Sequence, residues 1–178
     1  MKQIVLGGKQ FTIKRISEYT PSDARRFLRY INTIIAERDY IQFNKKLSLK
    51  DEIAYLRAGR AGEKKRKRVE LVAQFNNDIA GITEMTKGAG VNSHVAGFGI
   101  SVAKQYRGIG LGEYLIREVL RAAKKELKPK YFRLTVMSTN TRAMNLYKKV
   151  GFKIVARIPE QIQRKGTLID EIVMLKKL

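Results

Sequence analysis

Gln105-Tyr106-Arg107-Gly108-Ile109-Gly110-Leu111-Gly112 is the stretch whose reading decides the fold of this chain. Before it runs an apolar, strand-like segment, His94-Val95-Ala96-Gly97-Phe98-Gly99-Ile100-Ser101-Val102. After it, apolar residues recur at helical spacing: Leu111, Leu115, Ile116, Val119, Leu120, Ala123 and Leu127. A strand, a glycine-rich turn and a helix start, in that order, suit a phosphate group. The first turn of a helix leaves backbone N–H groups unpaired at the positive end of its dipole. Glycines let that backbone curve and let an anion approach without meeting a Cβ. The flanking Arg107 adds a positive charge. Three glycines after a strand also fit a plain turn. The spacing is not that of a dinucleotide fold, and no G-K-[ST] of a nucleoside-triphosphate loop follows.

A second segment lies downstream: Asn140-Thr141-Arg142-Ala143-Met144-Asn145-Leu146-Tyr147-Lys148-Lys149-Val150-Gly151-Phe152. With both in view, the chain resembles the GNAT superfamily of acyl-CoA-dependent N-acyltransferases, closest to the branch that acts on ribosomal proteins and N-terminal amines. Gln105, Gly108 and Gly110 fill the three fixed places of the family's Q/R-x-x-G-x-G/A signature. The second segment fits N-x-x-A-x-x-L-Y-x-x-x-G-F without a mismatch. One helix and one strand, Tyr131 to Met137, separate the two, as the family shows. Asp170-Glu171-Ile172-Val173-Met174 looks like the last strand of many members. The resemblance is specific from Val95 to Phe152 and softer toward both ends.

The resemblance implies a GNAT fold: an α+β domain spanning residues 1–178, with a mixed, mostly antiparallel central sheet, a splayed parallel strand pair and flanking helices. It implies acetyl-CoA as acyl donor, with its pantetheine arm between the splayed strands. By that carry-over Ile100, Ser101 and Val102 hold the pantetheine through main-chain hydrogen bonds. The N–H groups of Arg107, Gly108, Ile109, Gly110, Leu111 and Gly112 receive the pyrophosphate. Asn140 matches a position whose side chain contacts the cofactor, and Ala143 and Tyr147 line the same site.

Direct attack of an amine on the thioester requires a neutral amine, a stabilised oxyanion and a proton for the departing thiolate. Tyr147 holds the family's usual general-acid position, although an aromatic at helical spacing also suits a core. His94, the only histidine, precedes Gln105 by eleven residues, where several members carry a Glu or His regarded as the general base. Its unperturbed pKa near 6.5 suits the task. Strict alternation puts His94 on the face of Phe98 and Ile100, which fits core packing equally. A bulge at Gly97 or Gly99 would break that register. Glu84 on the preceding strand is the reserve base. The strand glutamate of the ribosomal-protein members is replaced by Thr135.

The 178 residues suit one domain with a sizeable core. The chain has no cysteine, so disulfides and thiolate chemistry are excluded, and one histidine argues against zinc. Neither a membrane-length apolar run nor a signal pattern stands out, and a cytoplasmic location is the expectation. Net charge is the outlier: 37 Lys and Arg against 16 Asp and Glu give +21. Such a surface attracts anions and suits an anionic partner such as a ribosome or nucleic acid. It also repels a polycation.

A protein or peptide α-amine is therefore the expected acceptor. With a pKa near 8, neutralising it at pH 7 costs about 1.4 kcal/mol. A polyamine or other small amine near 10.4 costs about 4.6 kcal/mol. Two readings without catalysis stand beside this one: an acyl-CoA sensor on the same fold, and a nucleic-acid or ribosome-associated protein.

Along the chain, Gln10 to Ile16 predicts a first strand. Thr20-Pro21-Ser22-Asp23 opens a helix with Ala24, Phe27, Leu28, Ile31 and Ile35 on one face, reaching Glu37. A loop follows around Asn44 to Lys46, and Ser48 opens a second helix with Ile53 and Leu56 inward. The charge run Arg57 to Arg68 reads as a solvated helix end and loop, or as a docking patch for an acidic partner. Val69–Phe75 and Ile79–Met85 form a hairpin about Asn76-Asn77-Asp78, and Thr86 to Asn92 is a loop. Lys153–Ile162 and Leu168–Leu175 form a closing hairpin.

Overall fold

A computed structural model describes residues 2–41, 43 and 45–178. Eight strands make one sheet in the order β1-β2-β3-β4-β5-β6-β8-β7. They are β1 Lys2–Leu6, β2 Lys9–Arg15, β3 Arg68–Phe75, β4 Asp78–Lys87, β5 Val95–Val102, β6 Tyr131–Met137, β7 Lys153–Arg164 and β8 Thr167–Lys177. Every neighbouring pair is antiparallel except β5 and β6. Among the described residues the α-helices are α1 Ala24–Ala36, α2 Leu49–Lys64, α3 Leu111–Glu126 and α4 Thr141–Lys149. The mixed, mostly antiparallel α+β architecture is the expected one.

α3 packs on β3, β4 and β5 from one face. Its buried residues, Leu111, Leu115, Ile116, Val119, Leu120 and Ala123, recur at three- and four-residue spacing. Each large one stabilises the fold by about 1.5–3 kcal/mol through burial. α1 lies against β4 and α2 against β3, on the opposite face. α1 begins after a short 3-10 turn at Pro21–Asp23 and buries Ala24, Phe27, Tyr30, Ile34 and Ile35. α2 opens with a capping box: the Asp51 N–H donates to the Ser48 hydroxyl, and the Ser48 N–H donates to the Asp51 carboxylate at 2.8 Å.

Several sequence expectations shift. The first strand of the chain is β1, which pairs with β2 through the turn Gly7-Gly8. That Gly-Gly pair is a two-residue hairpin signal, and β1 is a largely exposed edge strand with little alternation to show. The β3–β4 turn is Asn76-Asn77 alone, because Asp78 already pairs with Phe75. β4 continues through Thr86 and Lys87, so the loop before β5 begins only at Gly88. The expected loop at Asn44–Lys46 starts at a residue that lies outside the described ones. The charge run is not uniformly solvated. Arg60 donates to the carbonyls of Ser17, at 3.1 Å, and Tyr19, while Arg68 is half-buried against two carboxylates.

Candidate active site

β5 and β6 pair only at Val95↔Tyr131, Ala96↔Phe132 and Gly97↔Arg133. Beyond Gly97 the strands part: β6 continues on β8 to Met137, and β5 continues on β4 to Val102. The β6-facing backbone of Phe98 to Val102 therefore has no strand partner, and a chain-like ligand can supply one. Ile100 and Val102 are half-buried. The Ser101 hydroxyl is 2.8 Å from the Tyr30 hydroxyl, whose pKa burial pushes far up.

β5 leads through a 3-10 turn, Lys104–Tyr106, into the glycine loop and the start of α3. Gly108 and Gly110 hold φ of 85° and 90°, a region that L side chains disfavour. Among the described residues, the N–H groups of Gly108, Ile109 and Gly110 find no backbone partner. Leu111 and Gly112 lie in the first turn of α3, whose N–H groups have no intrahelical acceptor. Arg107 departs from expectation. Its N–H donates to the Lys104 carbonyl at 3.2 Å, a bond the 3-10 turn imposes. Its guanidinium donates to the Val102 carbonyl at 2.8 Å and pairs with Glu37 at 2.6 Å. Its charge thus ties β5 to the end of α1.

Asn140 caps α4, its Oδ1 accepting from the Ala143 N–H at 3.1 Å. The cap orients a short helix so that Tyr147 packs edge-on against Phe98, ring centres 5.7 Å apart, and against Phe152. Phe98 is the first β5 residue past the parting of the strands. Burial alone pushes the Tyr147 phenol up to about 12, and no described residue takes its hydroxyl. A phenol held there is protonated at neutral pH.

On the other face, Glu84 of β4 stands opposite Gly99 of β5. A Cβ at Gly99 would lie 3.5 Å from the Glu84 carboxylate, so the missing side chain leaves it room. Glu84 pairs with Arg68, which also meets the buried Glu70 at 2.7 Å without the alignment of a hydrogen bond. Tyr55 of α2 donates to Glu70. Burial pushes Glu70 up to about 7 against the pull of Arg68.

His94 is not brought to this cluster. It lies in the turn before β5, so the alternation counted from within the strand does not reach it. Its ring is exposed and sits edge-on to Tyr131, and its carbonyl accepts from the N–H groups of Lys130 and Tyr131. The β4–β5 register runs unbroken from Gly81↔Val102 to Lys87↔Ala96, so no bulge redirects it. Four residues of strand, about 13 Å, separate His94 from Phe98.

The model of the acetyltransferase (GNAT) family matches residues 33–152. The chain belongs to that family. L-amino acid N-acetyltransferase AaaT of Escherichia coli (strain K12) is 32% identical over 108 residues, which cover 60% of this chain and 67% of that protein. The crystal structure of a GNAT-family acetyltransferase from Streptococcus pneumoniae superposes with a TM-score of 0.83 at 25% identity, covering 94% of this chain and 99% of the other. A putative acetyltransferase from Salmonella typhimurium, yncA, determined with its cofactor acetyl-CoA, gives 0.80 at 17% identity and covers 94% of each.

As an acetyl-CoA-dependent N-acetyltransferase, the chain also holds a feature its sequence did not announce. The Arg142 guanidinium lies 3.7 Å from where a Cβ at Gly108 would stand. The glycine loop thus has a second cation beside it, one that Glu37 does not claim. Arg142 falls at a variable place of the second motif, so only the packing of α4 beside the start of α3 exposes it. Thr135 of β6 is half-buried and shares a face with Arg133.

Proposed function

We propose that this single catalytic domain transfers the acetyl group of acetyl-CoA to the α-amine of a peptide or protein by direct attack, with Glu84 accepting the amine's proton and Tyr147 attending the departing sulfur. One observation carries this reading: Phe98 and Gly99, consecutive residues where β5 leaves β6, turn to opposite faces of the sheet. Tyr147 lies on the Phe98 side and Glu84 on the Gly99 side. A thioester drawn into the split meets an incoming amine from one face and releases its thiol toward the other.

The β6-facing N–H groups of β5 offer donors for the developing oxyanion. Gly108 to Gly112 and Arg142 would hold the pyrophosphate, and Ile100 to Val102 the pantetheine. A thiolate whose thiol has a pKa near 8.5 is a weaker base than a phenolate whose phenol has one near 12, so full proton transfer from Tyr147 is uphill. Its hydroxyl therefore acts first as a hydrogen-bond donor that steadies charge on sulfur. Glu84, held by Arg68, is an acceptor-only group when ionised and suits an amine already close to neutral. That condition favours an α-amine over a polyamine, and so does the charge of +21. The same charge suits an anionic assembly, such as a ribosome, as the acceptor's carrier.

Equal concentrations of free-N-terminus peptides and of spermidine, each with acetyl-CoA, test the acceptor. Faster acetylation of the peptides is expected. Faster acetylation of spermidine overturns the α-amine reading.

A further inference from the structure

Next to Glu84 and Gly99 the same face of the sheet opens into a cavity of about 650 Å³ over β5, β6 and β8. Its floor is Gly97, Val173 and Leu175, and its polar wall is His94 and Arg133. No Asp or Glu lines it. Most arginines of this chain that meet carboxylates do so closely, as Arg15, Arg68, Arg107 and Arg157 show. Among the described residues, Arg133 has no ion-pair partner. A cation without a counterion in a concave site differs from a solvated charge on a convex surface. Its field is focused on whatever enters.

The register gives the distance from this wall to the chemistry. Gly97 pairs with Thr86 on one side and Arg133 on the other, one row from the Glu84–Gly99 pair. Arg133 is two strands and one row from Glu84, a Cα separation of about 12 Å. The reach of the two side chains closes part of that gap. What remains is about the length of one or two residues of extended chain.

We infer that this cavity seats the acceptor, and that Arg133 selects an acceptor carrying a carboxylate within a residue or two of its reacting α-amine. The inference rests on the acetyl-transfer reading above and adds the charge of the acceptor. Arg133 offers a fork of donors that matches a carboxylate. The apolar floor of Val173 and Leu175 takes the acceptor's hydrocarbon. A basic acceptor meets repulsion at the same wall. The carboxylate has two sources, an acidic side chain near a peptide's N-terminus or the α-carboxylate of a free amino acid, and the experiment separates them.

Acetylation is measured with three C-terminally amidated peptides beginning Ser-Asp-Glu, Ser-Ala-Gln and Ser-Lys-Arg, and with serine against serinamide. In the wild-type protein, kcat/KM for the carboxylate-bearing member of a series is expected to exceed the neutral one by about tenfold, equivalent to about 1.4 kcal/mol. Preference within the peptides assigns the side-chain source, and preference for serine over serinamide assigns the α-carboxylate. Arg133→Ala should erase the preference with the KM for acetyl-CoA unchanged, and Arg133→Glu should favour the basic peptide. Arg133 is exposed, so both variants are expected to fold. Equal rates for charged and neutral acceptors in the wild type, or a preference that survives Arg133→Ala, overturns the inference while leaving acetyl transfer intact. Should no acceptor turn over, the acetyl-transfer reading fails. Calorimetry of the acidic peptide then decides the cavity separately: binding that weakens tenfold in Arg133→Ala supports it, and equal affinity or no binding rejects it.

Discussion

Under α3 the sheet meets a helix whose six buried residues are all apolar, whereas under α2 it meets Glu52, Leu56 and Gly59 and a chain of Tyr55, Glu70, Arg68 and Glu84. The first face carries the donor loop, the second the proposed acceptor chemistry. On the donor side the functional groups are mostly backbone N–H, which an apolar frame can hold rigidly. On the acceptor side they are side chains, and their burial requires mutual charge compensation. One ligand common to a whole family can be met by backbone. An acceptor particular to this chain needs side chains.

The largest effect expected is at the boundary between the two faces. Tyr147→Phe should lower kcat by about 10²–10³-fold, the usual range for a donor aimed at developing charge. Acetyl-CoA affinity should change little, because only the hydroxyl is lost. Steady-state kinetics with calorimetry separates the two quantities, and a parallel fall in both would move Tyr147 from chemistry to donor binding.

Within the acceptor face, Glu84→Gln should lower kcat/KM by about 10²-fold. His94→Ala, at the closed end of the β5–β6 pair, should leave kcat within about twofold of wild type, its place in the cavity wall acting on the acceptor's KM. The reverse ranking in a kinetic comparison would return the base role to His94.

Within the donor face, Gly110→Val forces a β-branched residue to a φ of 90°, a strain of about 1–3 kcal/mol. The nearest neighbour of an added Cβ is Leu6 at an ordinary 3.8 Å, so the cost is conformational rather than steric. Acetyl-CoA affinity should fall by about 10–100-fold by calorimetry while the far-ultraviolet spectrum is retained.

The last effect concerns stability rather than activity. Burial, reinforced by Asp51, raises Glu52 to about 7 from an unfolded value of 4.5. Between those values the folded state holds a proton that the unfolded chain releases, so this group's contribution falls as pH rises and is gone above 7. Glu52→Gln removes that slope and should add about 1–3 kcal/mol at pH 8. Denaturant melts at pH 5 and pH 8 check it: an equal gain at both would show that the carboxyl is not the cause.

The same contrast explains what was legible in the sequence. The donor side was readable because each of its geometric demands leaves a residue type at a fixed place: Gly108 and Gly110 for positive φ, Asn140 for a helix cap, Gly151 at φ 93° after α4. The acceptor side draws Tyr55, Arg68, Glu70, Glu84 and Arg133 from α2, β3, β4 and β6, and no spacing links them. His94 was misplaced by counting alternation across a turn. Arg107 and Arg142 both sit beside the glycine loop, but only tertiary packing shows that Glu37 claims the first. Gly7-Gly8 was a hairpin signal next to a run too short and exposed to read as a strand.

That hairpin has a consequence for tolerance to change. A Cβ at Gly7 would come within 2.8 Å of the Ile109 side chain, and Leu6 lies against Gly110. Exposed hairpin turns are ordinarily the safest places in a fold to lengthen or to splice in foreign sequence. Here the turn props the donor loop from outside, about a hundred residues away along the chain. An insertion between Gly7 and Gly8 would leave every motif residue in place and still unseat the backbone proposed to hold the pyrophosphate.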